Sequence, residues 1–305
     1  MNHALAPLSF HSHELTAPGG FTDGIEGPGC DRAGHLYTVN FERQGTIGRV
    51  TPQGECSLFL ELPGGSCGNG IRFNRRGDML IADYTNHNVL RVDMQICARA
   101  TTLARRNAAI TVYAHEPMMN QPNDLAIAAN DLVFASDPNW QGSWGQIWRV
   151  DTAGKVTLLE TNMGTTNGIE VDPDERTLYV NETVQRRIWA YDLSAVGEIS
   201  CKRLLIQFSD FGMDGMRCDV AGNLYVTRWG KGTVVKLSPR GEVLAEIEVS
   251  GANCTNIAFG GPDGCTAYVT VADRGNVESF RVDQPGREWQ LAQDNVPGTG
   301  EVISV

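Results

Sequence analysis

The sequence predicts an all-β protein, a six-bladed β-propeller with four antiparallel strands per blade, on three observations. A single pattern recurs six times along the 305 residues, at intervals of roughly 40–55 residues, and periods of that order belong to propellers or repeat arrays. Each unit is built of short apolar runs rich in Val, Ile, Leu and Tyr, cut by Gly, Asp-Gly or Pro-Asp turns, which is how strands read. Four such runs fit into each unit, the content of one propeller blade. Long helical patterns are absent, and a single domain over 1–305 is expected.

The units open in order with "EGPGCDRAGHLYTV" at Glu26, "NGIRFNRRGDMLIA" at Asn69 and "NDLAIAANDLVFAS" at Asn123. "NGIEVDPDERTLYVN" at Asn167, "DGMRCDVAGNLYVT" at Asp214 and "TNIAFGGPDGCTAYVT" at Thr255 complete the set. The first and fifth are near-copies, sharing Cys-Asp, Gly and Leu-Tyr in register. In "RGDMLIADYTNHNVLRVD" a second strand ends near Ala82, a loop covers Asp83 to Asn88, and a third strand starts at Val89. Fourth strands fit "ECSLFLEL", "AITVYAH", "KVTLLET", "KRLLIQF" and "EVLAEIEV". The sixth blade can be closed by an N-terminal strand within "LSFHSHELT" or by "EWQLAQ", and the pattern does not choose between them.

Composition excludes several classes of function. Lys and Arg total 25 against 36 Asp and Glu, a net charge of −11, whereas phosphate contacts need clustered basic residues; no nucleic-acid partner is expected. The apolar runs are too short to span a bilayer, so no membrane partner is expected. No basic start followed by an apolar stretch is visible at the N-terminus, and a cytoplasmic location is expected. The 8 cysteines are scattered without zinc-like spacing, and Cys30 and Cys218, at matching repeat positions, read as small core hydrophobes.

In a propeller the first strand of each blade lines the central channel. The six unit openers, Glu26, Asn69, Asn123, Asn167, Asp214 and Thr255, are therefore expected to ring that channel at one level. Each carries a side-chain oxygen and two are carboxylates. A lone Asn before Gly is simply a turn residue, but Glu is not a turn former, and six positions of like chemistry on converging strands ask for another reason. Oxygen ligands from several strands with two negative charges describe a calcium-type site, since calcium takes about six to eight oxygens. The absence of His and Cys from the ring disfavours zinc.

With these residues in view, the chain resembles the regucalcin/gluconolactonase family of six-bladed propeller lactonases, from about Phe21 to Val282. The marks are "EGP" at Glu26, "PND" at Pro122 to Asp124, "NGIEVDPDERTLYV", "DGMRCDVAGNLYVT" and "TNIAFGGPDGCTAYVT". The resemblance implies that Glu26, Asn167 and Asp214 bind one divalent metal directly, with calcium expected and zinc, manganese or magnesium as alternatives. It implies that Asn123 lies beside the metal as substrate contact or fourth ligand, and that Asp124 faces the substrate, a small lactone. The related diisopropyl fluorophosphatase carries a comparable set. Where sugar-lactone members often have Arg two residues before the Asn of the Asn-Asp pair, this chain has Gln121, which weighs against a gluconolactone-type substrate. No His follows His115, so the histidine dyad of paraoxonase-like propellers is not evident.

A metal with open positions can polarise a lactone carbonyl while water attacks, and Asp214 is the candidate general base, equally readable as a ligand without a proton role. Loops between second and third strands are expected to wall the pocket: Phe41 and Glu42, Tyr84 and His87, Asp137 to Trp144, Glu182, and Trp229. Gln121, Tyr84, His87, Trp140 and Trp229 are thus candidate substrate contacts, and "SDPNWQGSWGQ", which carries Trp140 and Trp144, suits a partly apolar ligand. Two alternatives stand beside the lactonase: an organophosphate or phosphoester hydrolase on the same metal, and a non-catalytic NHL-like binding propeller, which "GDMLIADYTNHNVLRVD" also resembles. No oligomeric state follows from the sequence.

Overall fold

A computed structural model describes residues 12–294. Six four-stranded antiparallel sheets follow one another around a ring. The short strand β1 (His13–Glu14) comes first in the chain. Blade 1 is then β2 (Gly29–Cys30), β3 (Leu36–Val39), β4 (Thr46–Val50) and β5 (Cys56–Glu61), and blade 2 is β6 (Gly68–Phe73), β7 (Met79–Asp83), β8 (Asn88–Val92) and β9 (Ile110–His115). Blade 3 holds β10 (Leu125–Ile127), β11 (Val133–Asn139), β12 (Trp144–Val150) and β13 (Val156–Met163). Blade 4 holds β14 (Thr166–Val171), β15 (Thr177–Glu182), β16 (Arg187–Leu193) and β17 (Ile199–Gln207). Blade 5 is β18 (Met216–Cys218), β19 (Leu224–Arg228), β20 (Thr233–Leu237) and β21 (Val243–Glu248), and blade 6 is β22 (Cys254–Gly260), β23 (Thr266–Val271) and β24 (Asn276–Arg281).

The N-terminal strand closes the ring. β1 pairs antiparallel with β24, His13 opposite Ser279 and Glu14 opposite Glu278, so the sixth sheet takes its outer strand from the start of the chain; residues 8–11 of the expected closing segment lie outside the described residues. The competing segment is not a strand. "EWQLAQ" folds within helix α3 (Arg287–Asp294). Two further helices, α1 (Met94–Arg99) and α2 (Leu103–Asn107), fill the link from β8 to β9 and account for the long second interval. Asp93 caps α1 by accepting from the Gln95 and Ile96 amides, and Thr102 caps α2 by accepting from Arg105.

Turns between first and second strands share one device. Asp31 accepts from the amides of Ala33 and His35, Asn74 from Arg76 and Asp78, and Asp219 from Ala221 and Asn223. Gly34, Gly77 and Gly222 follow at φ +83°, +81° and +82°, where a Cβ would be strained. Apolar residues that alternate along the strands meet those of the next blade. Ile47 and Val39 of blade 1 pack on Ile71 and Ile81 of blade 2, and Val180 and Ile169 of blade 4 pack on Phe134 of blade 3. The core is thus a set of interfaces between blades, disposed around a central channel.

All inner strands start on one face, here the upper face, and the first-to-second-strand turns that carry Gly34, Gly77 and Gly222 lie on the lower face. α3 follows β24 on the lower face. Among the described residues no helix is long and apolar enough to cross a membrane.

Candidate metal centre

Glu26, Asn123 and Asp214 stand just before the inner strands β2, β10 and β18, and Asn167 stands at the start of β14. Second strands hold their backbones. Glu26 O accepts from Val39 N at 3.0 Å and Thr38 Oγ1 at 2.6 Å; Asn123 N donates to Ser136 O at 2.8 Å; Asp214 N donates to Thr227 O at 3.0 Å. Asn181 Nδ2 donates to Asp214 O at 2.5 Å, tying blade 4 to blade 5. The glycine after an opener is a point of close approach: a Cβ at Gly215 would collide with the Asn256 side chain, and one at Gly168 would press on Asp214 O and Asn181.

The side chains form an acceptor-rich cluster. Glu26, Asn123 and Asn167 are 6%, 8% and 2% exposed, whereas Asp214 remains partly open. The Asp214 carboxyl lies beside the Asn167 and Glu26 side chains. Asn256 Nδ2 donates to Glu26 Oε2 at 2.9 Å, as does the Gly27 amide, and Asn167 Nδ2 donates to Thr183 Oγ1 at 3.1 Å. Three oxygens are left over. Glu26 Oε1, Asn123 Oδ1 and Asn167 Oδ1 are buried with no hydrogen-bond donor, each an expensive arrangement unless something positive fills it.

The electrostatics point the same way. Burial, and next the charge of Asp124, push the Glu26 carboxyl up to about 7, against the pull of Gly27, Asn256 and Arg217. Burial and the neighbouring Glu26 push the Asp214 carboxyl well above the usual carboxylate range. Two carboxylates and two amide oxygens suit a hard cation. Among the described residues no three His, Cys, Asp or Glu side chains are placed to hold a metal ion between them, so any cation here would draw on the amide oxygens as well as the carboxylates.

The other expected residues divide. Asn69 and Thr255 do not complete a six-membered ring of ligands: Asn69 Nδ2 donates to Asn123 O at 3.1 Å, and Thr255 Oγ1 donates to Ile25 O at 2.9 Å and contacts Thr270 Oγ1 at 2.6 Å. They tie neighbouring inner strands together. Asp124 lies deeper than a substrate contact requires. It is 0% exposed, pairs with Arg72 at 3.2 Å and Arg217 at 3.1 Å, and sits against Gly70. Burial raises its carboxyl, but the two guanidiniums more than offset this and hold it below the usual range.

Gln121 is half-buried in the loop before Asn123, and its backbone N–H donates to Asp137 Oδ1. Burial first, and then the neighbouring Cys67 thiol, raise the pKa of the Tyr84 hydroxyl. His87 sits at φ 57° with Nδ1 buried and unbonded. Trp140 and Trp229 are 39% and 37% exposed on upper-face loops, and Trp144 and Phe211 are exposed as well. Of the expected pocket walls, Asp137 and Glu182 are buried brackets instead: Asp137 accepts from Asn120, Gln146 and Trp148, and Glu182 from the Gly164 amide.

Those brackets were missed in the sequence. Asp83 takes Cys67 N, Asp137 takes Asn120 N, and Asp273 takes Ala252 N and Asn253 N, each from the end of a second strand or just past it. The recurring acid after the second apolar run was the available signal. Also missed was the ionic plug beneath the site. Glu288 of α3 bonds Arg72 and lies 3.5 Å from Arg217, while Arg287 reaches Glu175 at 2.7 Å and Glu170 at 3.6 Å.

The chain is similar to pentonolactonase XacC of Haloferax volcanii, 34% identical over 154 residues covering 49% of this chain; the match spans 53% of that relative, about half its length. The gluconolactonase of Zymomonas mobilis is 24% identical over 280 residues, 81% of this chain and 76% of the other. Among solved structures, a calcium-binding protein, regucalcin from Agrobacterium tumefaciens, has the same fold with TM-score 0.75 at 22% identity, covering 92% of this chain and 99% of that one. Residues 25–273 match the family described as SMP-30/Gluconolactonase/LRE-like region, and the chain belongs to that family.

Proposed function

We propose that the protein is a divalent-metal-dependent lactonase that opens a small lactone to its hydroxy acid. One observation carries this reading: the donor-free buried oxygens of Glu26, Asn123 and Asn167, at equivalent strand starts, with the Asp214 carboxyl against two of these side chains. Relatives named pentonolactonase and gluconolactonase support the reaction class. Glu26, Asn167 and Asp214 would hold the ion, with Asn123 as a fourth oxygen and calcium as the ion that best suits an all-oxygen set. Such an ion, when bound, polarises the ester carbonyl and stabilises the oxyanion.

Asp214 is the one carboxylate of the set open enough to meet water, and it serves as general base. It takes a proton from water as the water oxygen bonds to the carbonyl carbon. The ring C–O bond then breaks and that proton passes to the departing ring oxygen, so lactone and water become hydroxy acid. Asn256 orients Glu26, and Asp124, held by two arginines, keeps a negative charge beneath it. Exposed Trp140, Trp144 and Trp229 on upper-face loops, with Gln121 in place of a cation, favour a lactone carrying an apolar substituent over a polyhydroxylated one. Eight unpaired cysteines suit a reducing compartment.

The test is acid release from a panel of sugar, alkyl and aryl lactones in calcium, and again in EDTA. Turnover that EDTA abolishes and calcium restores is expected. Equal turnover in EDTA, or none on any lactone, overturns the proposal.

A further inference from the structure

On the lower face, opposite the oxygen cluster, a cavity of about 660 Å³ opens between the turns of blades 1 to 3, helix α1 and helix α3. That volume is in the range of small-molecule sites. Its floor is aromatic: Tyr37 lies edge-on to Phe59 with centroids 4.8 Å apart, and Phe73 is 5.8 Å from Tyr37. Its walls are cationic. Arg49, Arg76 and Arg106 line it, beside Arg32 and Arg75, which have partners of their own, and the carboxylates of Asp31, Asp131 and Glu288.

Those carboxylates are already engaged. Glu288 pairs with Arg72 and Arg217, away from the cavity lining. Asp31 accepts from the Tyr37 hydroxyl at 2.9 Å and from turn amides, and Asp131 accepts from Arg75 N. Among the described residues no carboxylate pairs with Arg49, Arg76 or Arg106, and Arg49 Nε is buried without a partner. Arg106 is held in place by its bond to Phe59 O at 2.8 Å and lies 5.8 Å from the Phe59 ring centroid. In a chain with 36 acids to 25 bases, three arginines without acidic partners facing one aromatic-floored cavity form a local reversal of charge.

We propose that this lower cavity is a second ligand site, separate from the metal centre, for a flat aromatic organic anion. The rings take the apolar face of the ligand, and the Arg49, Arg76 and Arg106 guanidiniums take its anionic group by charge-assisted hydrogen bonds. Neutral compounds lose the second interaction, and metal cations are repelled.

Isothermal titration of the full chain with naphthalene-2-sulfonate, an anion that resists hydrolysis, tests the proposal. One equivalent is expected to bind, and 2-naphthalenemethanol, its uncharged counterpart, at least about tenfold more weakly. Arg76→Glu, on the exposed rim, and Arg49→Met, which keeps an apolar stem, should each weaken the sulfonate by about tenfold or more, with unfolding temperatures reported alongside. Asp214→Asn on the upper face should bind it as the parent does. No binding at millimolar probe, unchanged binding in both arginine variants, loss of binding in Asp214→Asn, or binding only after removal of residues 295–305 would each overturn the proposal.

Discussion

Asp214 is where two roles meet in one side chain. A ligand without a proton role and a general base predict different kinetics for Asp214→Asn, which keeps an oxygen for the ion but accepts no proton. We expect calcium to bind within a modest factor of the parent and lactone turnover to fall by about 10²–10⁴-fold, measured by calorimetry and by acid release on the same sample. Full turnover with metal bound would leave Asp214 a ligand only. Its neighbour Gly215 tests positioning. A Cβ there meets the Asn256 side chain, which donates to Glu26 Oε2 at 2.9 Å. Gly215→Ala should therefore cost about 1–3 kcal/mol in urea unfolding and weaken calcium binding together, because one displaced amide serves both.

At the level of elements, repetition made the blades legible and hid what breaks it. Every inner-strand start could be placed because six copies of the opener align, and the fourth strands followed from their apolar runs. α3 was missed because "EWQLAQ" is a short segment with apolar residues at either spacing; what makes it a helix is the anchor of buried Arg287 and half-buried Glu288, whose partners Glu170, Glu175, Arg72 and Arg217 are remote in sequence. Asn69 and Thr255 show a related limit. A repeat position locates a Cα on the ring, but side-chain direction depends on the neighbouring blade, and both residues turn to its backbone carbonyls. Charge marked Glu26 and Asp214 among the six openers, whereas Asn167 was set apart from Asn69 and Asn123 by the family resemblance and not by its chemistry. For α3 the prediction is energetic. Burial and the charge of Glu288 push Glu170 up to about 7, with Arg287 among the cations opposing this. Arg287→Met strips Glu170 of that partner and should cost about 3–5 kcal/mol; adding Glu170→Gln should recover part of it, and additive losses in the double-mutant cycle would show the pair uncoupled.

Across the whole molecule, the inward-facing acids make stability a function of both pH and metal. Glu26 titrates at about 7 in the folded chain against an ordinary 4.5, and Asp214 is raised from 3.8 in the same direction. At these two groups the folded metal-free protein thus holds more protons than the unfolded chain, from the ordinary carboxylate range up to about 7. The contribution of this pair to stability is fully present at low pH and is lost as pH rises through that window. Asp124 has the opposite sign, but its lowered carboxyl keeps that change in the acid range, clear of the window. Calcium reverses the trend, because it binds the deprotonated carboxylates; free ion at about 100 times Kd adds about 2.7 kcal/mol. Scanning calorimetry near pH 5.5 and pH 8, in EDTA and in calcium, should show a calcium-induced rise in Tm that is small at the lower pH and larger at the higher. An equal rise at both would mean that the ion binds without displacing protons, and so does not bind at Glu26 and Asp214.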